Sequence, residues 1–297
     1  MLHHFSAPQA PNRVVVVGAH GFIGRHLVSH WEAGGIAVLP LASTDLNLLA
    51  TDAAAALTGM LRENDTVVFL AALTPDKGRG LDTFMDNLRM AGAATAAIEH
   101  VKPRHVVYIS SDAVYSFDHP TVSETTPAEP VDLYGAMHRA RELMFAQAAG
   151  MDRLAIVRPT LVYGYGDTHN SYGPNRLRRM ARNDGKIKLF GHGEETRDHI
   201  WVEDLVRLLD QVVRRGSTGL LNAATGTSVS YSALARIVAD LFDGPVAVEV
   251  QDRNNTISIR YFDPSALKAA FPDFAFTPLA DGLAKVHAQM LANVADD

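Results

Sequence analysis

Residues 14–24 read VVVVGAHGFIG, and this stretch limits what the chain can fold into more than any other. Four valines run into Gly18, Gly21 and Gly24, and a helical pattern follows over about Phe22–Glu32. A continuous β-branched run is the pattern of a strand buried on both faces. Strand, glycine turn and helix together make one half of a dinucleotide site. In such a turn Gly18 permits the tight bend, Gly21 lets backbone approach a pyrophosphate, and Gly24 lets the helix pack closely on the strand. The helix N-terminus then offers free N–H groups and a partial positive charge to phosphates. The bland alternative is a glycine turn that serves structure alone.

The alternation continues along the chain. Strand-like runs are Val14–Val17, Ile36–Leu41, Thr66–Leu70, Val106–Ser110, Leu154–Arg158 and Leu220–Ala223. Helical patterns separate them, among them Asn87–Glu99 and Tyr134–Ala149. Repeated β-α units predict an α/β fold with a doubly wound parallel sheet of the Rossmann type. From about Gly164 to Asp198 the pattern breaks into a segment rich in Gly, Asn, Arg and Tyr, with only short helical pieces. It suits a substrate-binding part above the carboxyl ends of the strands. The expected organisation is a flexible tail over 1–11 and a dinucleotide-binding domain over 12–163 plus about 200–229. A smaller α/β substrate-binding part covers about 164–199 plus 230–297.

Composition narrows the function. A net charge of −6 gives no general attraction to nucleic acid or an anionic membrane. No run approaches the roughly 18 apolar residues of a membrane span. The first eleven residues hold Pro8 and Pro11 and lack the apolar core of a signal peptide. The absence of cysteine excludes disulfides, thiol nucleophiles and Cys-ligated metal, and makes the cytoplasm the default location. His169, His192 and His199 share the substrate segment, but their spacing matches no zinc pattern, so no metal is expected.

The chemistry-bearing residues cluster after the fourth strand-like run. It ends in YISSDAVY, residues 108–115, where a doubly wound sheet places its ligand crevice. Tyr134 and His138 are four apart and share a face of the helix that follows. Ser111 and Tyr134 can together serve one substrate oxygen beside a nicotinamide, coupling hydride transfer to proton transfer. Taken singly, each is as well explained as a strand-end serine or a half-buried tyrosine.

Read in order, these segments resemble the extended short-chain dehydrogenase/reductases of the NAD(P)-dependent epimerase/dehydratase type, from about Asn12 to Val286. GAHGFIG resembles the family's GxxGxxG, and DTVVFLAA (65–72) its third strand. Asn87 matches the Asn that opens a family helix. Ser111–Tyr115 is similar to SSxxVY, Tyr134-Gly135 to YGxxK, RPTLVYG (158–164) to RPxxVYG, RDHIWVED (197–204) to RDxIxVxD, and NAATG (222–226) to NxxxG. The resemblance implies Tyr134 as acid/base, Ser111 as its hydrogen-bonding partner, and His138 and Asp112 beside them. It places Gly18, His20, Gly21, Phe22, Ile23, Gly24, Ser43, Asp45, Leu46, Ala71, Ala72 and Asn87 around the dinucleotide, with Tyr134 and His138 at its nicotinamide end. Asn175, Lys188, Leu189, Phe190, Arg197 and Arg253 would hold a nucleotide-sugar, the arginines taking the diphosphate. A homodimer through the helices near Asn87–Glu99 and Tyr134–Ala149 is also implied.

Three positions depart from the family. His138 stands where the family has Lys. An ammonium there helps ionise a phenol of pKa about 10, whereas imidazole titrates near 6.5. Retained activity with a shifted pH optimum, weak activity, and cofactor binding without catalysis all remain open. Ala113 replaces the Glu of family dehydratases, which argues against 4,6-dehydration. The second strand ends LPLAST with no acid before Asp45, so the acid expected for NAD's ribose is missing. Ser43, Thr44 and His20 give a slight lean to NADP within an overall NAD(P) assignment. The expected activity is a nucleotide-sugar epimerase working through oxidation at a sugar carbon, C4 first. A keto-sugar reductase, a dinucleotide-binding sensor or scaffold, and an enzyme for a non-nucleotide substrate are the alternatives.

Overall fold

The computed structural model of the chain describes residues 1–167, 173–253 and 256–293. Its strands are β1 (Leu2–His3), β2 (Val14–Val17), β3 (Val38–Leu41), β4 (Thr66–Phe69), β5 (His105–Ile109), β6 (Thr121–Val122), β7 (Leu154–Pro159), β8 (Leu161–Tyr163), β9 (Lys186–Phe190), β10 (Thr196–Trp201), β11 (Ser217–Ala223), β12 (Ser228–Ser230), β13 (Ala247–Gln251) and β14 (Tyr261–Phe262). The helices are α1 (Phe22–Ala33), α2 (Ala53–Met60), α3 (Leu81–Val101), α4 (Leu133–Ala149), α5 (Pro174–Asp184), α6 (Val202–Arg214), α7 (Tyr231–Ala239), α8 (Ser265–Ala270) and α9 (Leu279–Ala292).

Seven strands form the main sheet in the order β1-β11-β7-β5-β4-β2-β3, all parallel except β1 against β11. The chain reverses its direction of winding at β2, whose neighbours are β3 and β4, so the ligand crevice opens above the carboxyl ends of β2 and β4. The valines of β2 show why the run is continuous. Val14 and Val16 enter the core layer that holds Leu27 and Trp31 of α1 and Leu205 and Leu209 of α6. Val15 and Val17 enter the opposite layer with Leu57, Ile98 and Phe145 of α2, α3 and α4. Alternate residues thus serve two cores, and none is free to be polar. Trp31 Nε1 donates to Asp210 Oδ1 at 2.9 Å and ties α1 to α6. Pro40, which has no N–H to offer a ladder, is exposed on the edge strand β3. A separate apolar cluster, including Tyr163, Leu177, Ile187, Leu189, Leu234 and Met290, lies under the substrate segment.

Two expectations need correction. Residues 1–11 are not a flexible tail. Leu2–His3 add a strand to β11, His3 bonds Ser217 Oγ (2.8 Å) and the Ala270 carbonyl (2.7 Å), and the Phe5 and Gln9 N–H groups donate to Arg215 and Arg214. The exposed edge of β11 supplies the unpaired backbone that captures them. The segment after Gly164 also holds more than short helical pieces. Pro174 sits in the first turn of the eleven-residue α5, and Leu177 and Ala181 are buried between its arginines. Among the described residues no helix is long and apolar enough to cross a membrane.

Candidate active site

The glycine turn is built as a cradle. Gly18 has φ +100, in the left-handed region, and a Cβ there would stand 2.8 Å from the Ala71 nitrogen. A Cβ on Gly24 would collide with the Gly18 carbonyl oxygen, so α1 begins directly on the turn. No side chain caps the α1 N-terminus. Its first N–H groups, at Phe22, Ile23 and Gly24, lie beside Gly21 and the exposed His20. Uncapped N–H groups at a glycine turn fit a pyrophosphate. At the end of β3, Ser43 and Thr44 are exposed, while Asp45 Oδ2 accepts from the Ala42 N–H at 2.9 Å. The Asp45 carboxylate is therefore turned back into its own loop, and Leu46 is buried. Ala71 and Ala72 follow β4 on the far side of the cradle.

Across the crevice, β5 ends at Ile109 and Ser111 caps a short 3-10 turn over Asp112–Val114, its Oγ accepting from the Ala113 N–H at 3.2 Å. The Ser111 hydroxyl proton remains to serve Tyr134, whose ionised form it favours. Asp132 caps α4 by accepting from the Gly135 N–H at 2.8 Å. A Cβ on Gly135 would collide with the Ala113 carbonyl, so glycine is what lets α4 press Tyr134 against the Ser111 turn. Tyr134 is partly open to a cavity of about 150 Å³, which Leu73, Thr83, Asn87 and Met137 also line. Burial, with the Asp112 carboxylate adding to it, pushes the Tyr134 phenol up to about 12, against the opposing pull of Arg141 and Ser111. Burial likewise raises Asp112, with Arg260 and Arg197 pulling it down.

His138 is buried and stands edge-on to Tyr134, ring centroids 4.7 Å apart. Its Nδ1 bonds the Tyr108 hydroxyl at 2.8 Å, and its Nε2 has no partner among the described residues. Burial, helped by Arg141, lowers its pKa to about 3, so the ring is neutral. An orphaned buried nitrogen beside Tyr134 fits a ribose hydroxyl of a bound dinucleotide. Asn87 lies behind the crevice: its Oδ1 accepts from the Leu73 N–H and from Arg141, and its Nδ2 donates to the Leu73 and Thr83 carbonyls. It pins the loop after β4 to α3.

Two features escaped sequence reasoning. Glu142 and Arg158 form a buried bidentate pair, both contacts 2.7 Å, which Ser110, Tyr115 and Asn222 extend across β5, β7 and β11. Arg260, also buried, donates to the Asp112 and Tyr115 carbonyls, and its guanidinium lies 3.9 Å from the Phe117 ring centre.

The remaining residues divide. Arg197 covers the same Phe117 ring at 4.8 Å and donates to the Thr196 and Ser258 carbonyls and to Ser258 Oγ. Asn175 is buried, donates to the Gly164 carbonyl and Asp167, and leaves its Oδ1 without a partner among the described residues. Arg253 is drawn instead to Glu194 (2.6 Å) and Glu195 (3.2 Å) and to the Phe190 carbonyl. Lys188 and Phe190 lie on β9, which pairs with β13 away from the main sheet. His192 is exposed and His199 buried, while His169 lies outside the described residues.

The glycine cradle and the Ser111 turn both follow the carboxyl ends of strands in one parallel sheet, and the sequence profile of the NAD dependent epimerase/dehydratase family matches residues 14–224. The chain belongs to that family. UDP-glucose 4-epimerase of Mycolicibacterium smegmatis is 30% identical over 78% of this chain and 83% of its own length. The dTDP-4-dehydro-6-deoxy-D-allose reductase of Streptomyces bikiniensis is 26% identical over 92% of this chain and 94% of its own. Among solved structures, a GDP-L-fucose synthetase from Naegleria fowleri bound to NADP has the same fold. Its TM-score is 0.81 at 17% identity, covering 99% of this chain and 98% of that one. As a member of the epimerase/dehydratase family, the chain is an NAD(P)-dependent enzyme.

Proposed function

We propose that the chain is an NAD(P)-dependent nucleotide-sugar epimerase that oxidises and re-reduces one sugar carbon, C4 first. The observation that carries this reading is the close packing of the start of α4, with Tyr134, on the Ser111 turn, at the same end of the sheet as the cradle at Gly18–Gly24. A bound nicotinamide supplies or accepts the hydride. Tyr134 takes the proton of the sugar hydroxyl and returns it, and Ser111 orients the same oxygen. His138 offers its free ring nitrogen to the ribose, and Asn87 fixes the loop that follows β4. Arg197 and Asn175 face the nucleotide, with Lys188, Phe190 and Arg253 at the outer end of that segment. Arg253 already balances two glutamates, so Arg197 is the better diphosphate ligand.

A reductase of a keto nucleotide-sugar is the second reading, favoured by the raised phenol of Tyr134, which rests as a proton donor. The two separate on purification. An epimerase carries nicotinamide with the protein and interconverts UDP- or dTDP-hexoses without net cofactor use. A reductase purifies empty and consumes added NAD(P)H with a 4-keto sugar. Tyr134→Phe abolishes either activity, and turnover surviving in that variant rejects both. The Asp45 carboxylate is occupied and Ser43 and Thr44 are open, so the proposed preference is slightly for NADP; a KM for NADH well below that for NADPH rejects it. The proposed assembly is a homodimer through the outer faces of α3 and α4, which expose Met85 and Leu143; a monomeric mass in solution rejects that part.

A further inference from the structure

In the family a lysine ammonium stands one turn after the tyrosine. His138 cannot replace its charge, because the ring is buried and neutral. A cation is nevertheless present on the same face of α4. Tyr134, His138 and Arg141 are related as i, i+4 and i+7, and helical side chains lean towards the N-terminus, so Arg141 reaches back towards Tyr134. Arg141 is fully buried. Its acceptors are the Asn87 carbonyl (3.0 Å from Nε), the Ala71 carbonyl (2.8 Å) and Asn87 Oδ1 (3.0 Å), all neutral oxygens. The neighbouring Glu142 carboxylate is already held by Arg158. A buried guanidinium without a carboxylate partner is costly, and it stays charged because guanidinium does not deprotonate in proteins.

On the reading of Tyr134 as the acid/base group, we infer that Arg141 is the positive charge of this active site, moved one turn along α4 and connected to His138 through Tyr108. The guanidinium and the Tyr108 ring both border the Phe69 ring, at 5.5 and 6.3 Å, and the cation pulls the Tyr108 phenol down against the effect of burial. The Tyr108 hydroxyl has no other acceptor among the described residues, so it sends its proton to His138 Nδ1. The neutral imidazole then carries its proton on Nε2, the atom without a partner. The lysine's two tasks are divided: Nε2–H is the donor to ribose, and Arg141 is a positioning residue that stabilises the Tyr134 phenolate by its field. The carboxylates of Asp112 and Asp132 oppose it at Tyr134, Glu142 opposes it at Tyr108, and Ser111 assists it.

The test is Arg141→Gln, which keeps hydrogen-bond donors and removes the charge. The readout is tyrosinate absorbance of the NAD(P)⁺ complex against pH, taken as the difference from Tyr134→Phe. The midpoint moves up by about one pH unit in Arg141→Gln, and Arg141→Lys moves it far less. Adding His138→Lys to Arg141→Gln brings it back, which a merely structural role for Arg141 does not allow. Should Arg141→Gln not fold, Tyr108→Phe deletes one hydroxyl, and its NAD(P)⁺ dissociation constant rises at least threefold. An unmoved midpoint in folded Arg141→Gln, no restoration by His138→Lys, or unchanged cofactor binding in Tyr108→Phe overturns the inference alone. Turnover retained by Tyr134→Phe overturns it together with the reading beneath it.

Discussion

Glu142→Ala is the substitution that most directly tests how α4 is held over the sheet. The Glu142 and Arg158 side chains are 1% and 3% exposed. The carboxylate accepts two 2.7 Å bonds from Arg158, a third from Ser110 and a fourth, at 3.1 Å, from the partly exposed Arg139. Alanine strands the guanidinium with only the Tyr115 hydroxyl as partner. Breaking one side of a buried pair costs about 3–5 kcal/mol, mainly from the charge left behind. At about 2 °C per kcal/mol for a chain of this size, Tm falls by roughly 6–10 °C. Scanning calorimetry at neutral pH gives Tm, and urea titration gives the change in midpoint at constant m. Replacing both residues, as Glu142→Leu with Arg158→Met, recovers most of the loss, because no charge is then stranded. A single-variant loss below about 1 kcal/mol refutes the reasoning, since it means that water reaches Arg158.

Two further outcomes follow from the same geometry. His105, His138 and His199 have pKa values lowered to about 4, 3 and 3, all chiefly by burial. The unfolded chain takes up their protons near pH 6.5 and the folded chain does not, so their contribution is complete above about 6.5 and is lost as pH falls towards 4. Each imidazole removes up to about 1.4 kcal/mol per pH unit in that window. Tm against pH should therefore drop steeply below 6, less so in His199→Phe, and a flat profile from pH 7 to 5 contradicts neutral burial. Gly135→Ala places a methyl against the Ala113 carbonyl, so kcat falls about tenfold or more through displacement of Tyr134 from Ser111, with cofactor affinity unchanged. Full activity in that variant means that the α4 contact does not set the Tyr134 position.

What was legible in the chain depended on whether a residue's role is local. The valines of β2 announce two-sided burial by themselves, and Ser111, Tyr134 and Gly135 lie in ordered segments whose spacing survives without coordinates. Leu2–His3 carry no pattern of their own; the open edge of β11, more than two hundred residues away, makes them a strand. Arg141 sits in the run RARE and reads as part of a solvated helix face. The signal that could have found it is its i+7 relation to Tyr134, which places it on the buried side. Arg260 lies in a patternless stretch and is fixed by carbonyls of the Asp112 turn. Arg253 had the residue type of a phosphate ligand, but two adjacent glutamates compete for it, and only folding brings them within reach.

The proton affinity of Tyr134 also bears on the direction of the chemistry. A phenol at about 12 is protonated at neutral pH, and removing its proton at pH 7 requires about 7 kcal/mol. Asp112, whose own carboxyl is raised by burial, contributes to that barrier. Donation to a ketone needs none of this energy, whereas taking a proton from a sugar hydroxyl needs most of it back from the charges that surround the bound complex. Arg141 is a fixed cation at Tyr134, and Arg197 and Arg260 act on the opposing Asp112. If these cations suffice, the chain runs in both directions, as an epimerase must. If they do not, only the reductive half remains. Asp112→Asn removes the opposing carboxylate while leaving its backbone carbonyl for Arg260, so it should accelerate sugar oxidation and leave ketone reduction nearly unchanged. Equal effects on the two directions mean that Asp112 does not govern the Tyr134 proton.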